Sequence, residues 1–91
     1  MPRTILLVED EYDIRRVTRL WLEKLDYQVI EAANGNDGWG LIRTNRPDVV
    51  LTDITMPGMD GVELCRLIKS TEETADTPVI MFTSHAESEI E

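Results

Sequence analysis

Ninety-one residues allow one domain and exclude two. Hydrophobic residues make up 42% and charged residues 30%, which is globular rather than disordered or fibrous composition. Nine Lys plus Arg against eighteen Asp plus Glu leave a net charge of -9, which repels nucleic acid and anionic membrane and excludes a DNA-binding module acting alone. The single cysteine, Cys65, excludes an internal disulfide and a cysteine-based zinc site. No apolar run approaches ~18 residues, so no spanning helix is expected. The N-terminus carries one Arg and then acids instead of a signal peptide, and a cytoplasmic location is the expectation.

Ile5-Leu6-Leu7-Val8 is a continuous aliphatic run bounded by polar residues, as in a strand buried on both faces. From Glu11 to Leu25 the apolar residues Ile14, Val17, Trp21 and Leu25 fall at helical spacing, predicting an amphipathic helix with Trp21 as an anchor. Asp26 follows where a helix often ends in Gly, and Asp tolerates the left-handed conformation better than most. Tyr27 to Ala32 reads as a second strand. Asn34-Gly35 signals a turn, and Asn36 to Thr44 a weaker helix burdened by Gly38 and Gly40 and anchored by Trp39, Leu41 and Ile42.

Pro47 closes that connection, and Val49-Val50-Leu51 forms a third buried strand. Pro57-Gly58 punctuates a loop, Val62 to Lys69 a third helix, and Val79 to Phe82 a fourth strand. The order βαβαβαβ predicts an α/β fold with a parallel sheet and helices on both faces.

The strands end in polar groups. The first runs into Glu9-Asp10, the third into Asp53 and the fourth into Thr83-Ser84. Ligands of open α/β sheets bind outside the carboxyl ends of the strands, at the switch point in strand order. With the first and third strands adjacent, Glu9, Asp10 and Asp53 converge there, and three close carboxylates call for a cation such as Mg²⁺. An Asp beside Mg²⁺ can act as a nucleophile toward phosphorus. Thr83 would then hydrogen-bond a phosphoryl oxygen. Taken singly, Glu9-Asp10 reads as readily as a cap or surface pair, Asp53 as a turn residue, and Thr83 as a strand-end hydroxyl. It is their conjunction after aliphatic runs that favours a site.

These residues resemble the receiver domain of two-component response regulators. The match runs through Ile5 to Glu11, Pro47 to Gly61 and Thr77 to Ser84, and Asp53 followed by Met56-Pro57-Gly58-Met59-Asp60-Gly61 is its most specific stretch. The resemblance implies a flavodoxin-like doubly wound sheet of strand order 2-1-3-4. It implies Asp53 as phosphoacceptor, and Glu9, Asp10, Asp53 and the Thr55 backbone carbonyl as Mg²⁺ ligands. Thr83 would be the switch hydroxyl, with Pro57, Gly58 and Gly61 shaping the loop. The donor would be a sensor histidine kinase or phosphotransfer protein, and the chain would not be an enzyme in its own right.

The chain departs from the family pattern in Asp26, in Gly38-Trp39, and at its end. The family's sheet has five strands, and residues 1–91 carry four, so an incomplete receiver is expected. The family's phosphoryl-gripping lysine falls in the missing part, and Lys24 and Lys69, late in their helices, cannot replace it. The fourth strand would then be an exposed edge, predicting pairing with another copy, or instability of the chain alone. A fragment of a longer protein is the simpler account of that edge.

The remaining residues have plainer readings. Arg15, Arg16 and Arg19 read as a solvated face or a kinase-docking patch. Cys65, Met56 and Met59 read as packing residues, and His85 as a loop residue near the proposed site. The alternative function is a non-phosphorylated interaction module. A phosphohydrolase is disfavoured because Thr55 stands where a general acid belongs. A flavin phosphate would be repelled by Glu9-Asp10-Glu11.

Overall fold

The computed structural model describes residues 3–83. Four strands alternate with three helices: β1 (Thr4–Val8), α1 (Tyr12–Lys24), β2 (Gln28–Ala32), α2 (Gly35–Asn45), β3 (Val49–Asp53), α3 (Gly61–Ser70) and β4 (Val79–Phe82). All pairings are parallel, in the order β2-β1-β3-β4. The aliphatic strands, the order and the parallel sense agree with the sequence reading. Asp26 adopts the expected left-handed conformation at φ 72, and Arg46, which gave no such signal, does so at φ 48.

The main core lies on one face of the sheet. There Leu6, Val8 and Val50 pack with Ile42 of α2, Leu64 and Ile68 of α3, and Met56. Trp39, Leu41 and Met59 pack against its margin. Gly38 is less of a burden than its helix propensity suggests. A Cβ there would stand 3.0 Å from Val8 Cγ2, so its absence lets α2 approach β1 closely. Asn34 caps α2 by accepting from the Asp37 N–H at 2.8 Å. Asp60 and Glu63 form a reciprocal capping box at the start of α3.

The first helix departs from expectation. The predicted apolar stripe exists, but no residue of α1 is fully buried, and Trp21 is 63% exposed. Val17, Leu20 and Leu25 are exposed as well. The helix packs on β1 and β2, at one side of its sheet face. Among the described residues an apolar groove lies open across the rest of that face, bordered by Leu22 and Leu25 on one side and Ile5, Val49, Leu51 and Ile80 on the sheet. Trp21 is therefore not an anchor; its ring carries the Lys24 ammonium 5.9 Å from its centroid.

Candidate functional site

The site is built at the carboxyl edge of the sheet, where β1 and β3 lie side by side. Val8 pairs with Thr52, so Glu9, the residue after β1, comes level with Asp53, the last residue of β3. Asp10 follows on the turn into α1. One carboxylate oxygen from each of Glu9, Asp10 and Asp53 falls within 4.8 Å of the others. Glu9 and Asp53 are both 0% exposed, and Asp10 is half-buried.

Glu9 is held from three sides. Its N–H donates to the Ala32 carbonyl at 3.0 Å, tying it to β2. Its own carbonyl accepts from Arg15 Nη1 at 2.9 Å, and its Oε2 accepts from the Glu11 N–H at 3.0 Å. Its Oε1 is enclosed without a hydrogen-bond partner, as is Asp10 Oδ1. Leaving such atoms unmatched costs free energy unless another group meets them. Burial pushes the Glu9 carboxyl up from its ordinary 4.5 to about 7. The neighbouring Asp53 and Asp10 push in the same direction, against the Glu11 N–H, which favours the charged form. Buried carboxylate oxygens without partners form an all-oxygen donor set, which suits a hard divalent cation.

Asp53 is fixed from the loop side. The Thr55 N–H approaches its Oδ1 at 3.3 Å. The main chain then turns through Pro57 and Gly58, where φ is +75, and returns so that the Gly61 N–H donates to the Ile54 carbonyl at 2.9 Å. A Cβ on Gly61 would collide with the Asp53 carbonyl oxygen, so only glycine lets α3 begin there. Asp53 pairs with Phe82, which sets exposed Thr83 just beyond the end of β4, beside the acidic edge.

The predicted residues Glu9, Asp10, Asp53, Thr55, Pro57, Gly58, Gly61 and Thr83 thus gather at one edge. Ser84 and His85 lie outside the described residues. Lys24 and Lys69 sit in the last turns of their helices, as read, and Lys69 Nζ donates to the carbonyls of Ala75 (3.2 Å) and Thr77 (2.6 Å). Arg15 was misjudged as part of a solvated face. Its side chain is 15% exposed and bound to Glu31 of β2 as well as to Glu9. The available signal was Glu31 itself, an acid in an otherwise apolar stretch of β2.

The profile of the response regulator receiver domain matches residues 5–91. The chain belongs to this family. Among its relatives, the phosphate regulon transcriptional regulatory protein PhoB of Pseudomonas aeruginosa is 39% identical over 87 residues, covering 96% of this chain and 38% of that protein. Protein PilH of the same organism is 39% identical, covering 92% of this chain and 69% of PilH. The crystal structure of the N-terminal domain of a response regulator receiver protein from Methanoculleus marisnigri superposes with a TM-score of 0.84. It is 36% identical and covers 96% of this chain and 75% of its own. The chain therefore spans little more than a third of PhoB and three quarters of that receiver. Its carboxyl-edge cluster sits at the switch point of a sheet of order 2-1-3-4. Among the described residues no helix is long and apolar enough to cross a membrane.

Proposed function

We propose that this receiver domain accepts a phosphoryl group on Asp53 in a Mg²⁺-dependent phosphorelay in the cytoplasm. The donor in this reading is a phosphohistidine on a sensor histidine kinase or phosphotransfer protein. The observation that carries it is the pair of enclosed, partnerless oxygens, Glu9 Oε1 and Asp10 Oδ1, beside the buried Asp53.

An Asp53 carboxylate oxygen attacks phosphorus. The new P–O bond forms as the P–N bond to the donor imidazole breaks, and the imidazole leaves with the electron pair. Glu9, Asp10, Asp53 and the Thr55 carbonyl would hold Mg²⁺, which would supply positive charge beside the phosphoryl oxygens. The Thr55 N–H orients Asp53 Oδ1. Thr83, one residue beyond the partner of Asp53, turns its hydroxyl to the arriving group and reports its presence. The chain receives the group and performs no turnover reaction on a separate substrate.

The test is incubation with acetyl phosphate, with and without Mg²⁺, followed by intact-mass measurement. Wild-type protein is expected to gain one phosphoryl group only with Mg²⁺, and Asp53→Asn to gain none. An equal gain in Asp53→Asn would overturn the assignment.

A further inference from the structure

We propose that Arg15 is a positioning residue for the acidic site, fixing the Glu9-Asp10 main chain so that both carboxylates face Asp53. The proposal rests on the Mg²⁺-binding reading above. The guanidinium of Arg15 is itself tightly constrained. Its Nε donates to Glu31 Oε1 at 3.0 Å while its Nη1 donates to the Glu9 carbonyl at 2.9 Å. Its Cζ lies 5.5 Å from the centroid of the Tyr12 ring. Arg19, one turn further along α1, meets the other Glu31 oxygen at 3.1 Å as an ion pair without hydrogen-bond alignment.

The result is a continuous chain of contacts from β2 through α1 to the site. Glu31 fixes Arg15, and Arg15 fixes the peptide carbonyl joining Glu9 to Asp10. On the other side of the same residue, the Glu9 N–H is fixed by Ala32 of β2. Glu9 is thereby clamped to one strand at both main-chain polar groups, once directly and once through Arg15 and Glu31. A planar guanidinium suits this task because its two donors are held at a fixed angle. Two carboxylates that repel each other relax apart when their main chain is free, and the clamp prevents that.

Positioning and simple charge make opposite predictions. A guanidinium bound to the Glu9 carbonyl adds positive charge near the acidic site, so on charge alone its removal tightens Mg²⁺ binding. As a clamp, its removal weakens binding. Arg19→Ala is the matched control, removing the same charge from the same helix and the same Glu31 while leaving the Glu9 carbonyl untouched.

The experiment is Mg²⁺ titration by isothermal calorimetry on wild-type, Arg15→Ala, Arg19→Ala and Arg15→Lys, with thermal melts in EDTA to record any loss of stability. Arg15→Ala is expected to weaken Mg²⁺ binding by about tenfold, the scale seen for partners that orient metal ligands. Arg19→Ala is expected to leave the affinity unchanged even where its melt falls by as much. Arg15→Lys keeps the charge and the aliphatic stem but loses the fork, and is expected to weaken binding by a smaller factor. It carries the test alone should Arg15→Ala fail to fold. Equal or tighter binding in both Arg15 variants overturns the assignment while leaving the phosphoacceptor reading standing. A wild-type chain that binds no Mg²⁺ overturns both.

Discussion

The α-carbon of Gly61 lies against the main-chain carbonyl of Asp53, with no room for a side chain between them. This contact joins the end of β3 to the start of α3. Gly61→Ala is expected to force the two segments apart, at a cost of ~1–3 kcal/mol for inserting a methyl group into a filled space. Urea melts measure the loss. Because the displaced atom belongs to Asp53, labelling by acetyl phosphate should fall further than stability alone explains.

Glu9 gives a pH dependence with a defined sign. Its carboxyl titrates at about 7 in the folded chain against an ordinary 4.5, chiefly because it is buried. The folded state therefore holds a proton that the unfolded chain releases, so the stabilisation is full below about pH 4.5 and is lost as pH rises to about 7. At ~1.4 kcal/mol per pKa unit, the apo protein should lose on the order of 3 kcal/mol across that window. Glu9→Gln should flatten the dependence and raise the melting temperature in EDTA at pH 8. Steeper pH dependence in Glu9→Gln than in wild type would contradict the assignment.

Mg²⁺ binding follows from the same group with the opposite sign. A cation competes with the Glu9 proton, so affinity should strengthen as pH rises from about 5.5 to about 7.5, with protons released on binding. Calorimetry in buffers of different ionisation enthalpy reads that release directly. The Glu9→Gln variant should bind more weakly and release none from this site.

The two tryptophans should behave differently. Trp21→Ala, at a 63% exposed position, is expected to change stability by no more than about 0.5 kcal/mol. Leu64→Ala, at a 0% exposed core position, should cost ~2–5 kcal/mol. Trp39 packs at the core margin and should fall between them.

The outer edge of β4 pairs with no strand among the described residues, and Ile80 on it is 56% exposed. Such an edge favours pairing with a second copy, although the net charge of -9 opposes close approach. Sedimentation velocity should detect association that grows with salt, and Ile80→Lys should suppress it. Monomeric behaviour at every salt concentration would remove the edge from the account.

The sheet was legible because its four strands are short aliphatic runs with polar ends, and the acidic site because its members sit directly after those runs. Periodicity also located α1, but it did not say what would cover the stripe. Val17, Leu20 and Trp21 repeat at helical spacing, yet burial depends on what lies opposite, and α1 leans to the β1–β2 side of its face. Arg15 was illegible for a related reason. Its role comes from a partner sixteen residues away on β2, and nothing local in the helix separates it from Arg16. Gly61 was read as the start of a helix, but the reason only glycine serves there, the Asp53 carbonyl, is a contact across space.

The most direct measurement is the position of the phosphoryl group itself. After treatment with acetyl phosphate and Mg²⁺, reduction with borohydride converts an aspartyl phosphate to homoserine, which peptide mass spectrometry assigns to one residue. Homoserine is expected at residue 53, dependent on Mg²⁺ and lost in Asp53→Asn. Homoserine at Asp10 or another acid, or none at residue 53 under conditions where Mg²⁺ binds, would contradict it.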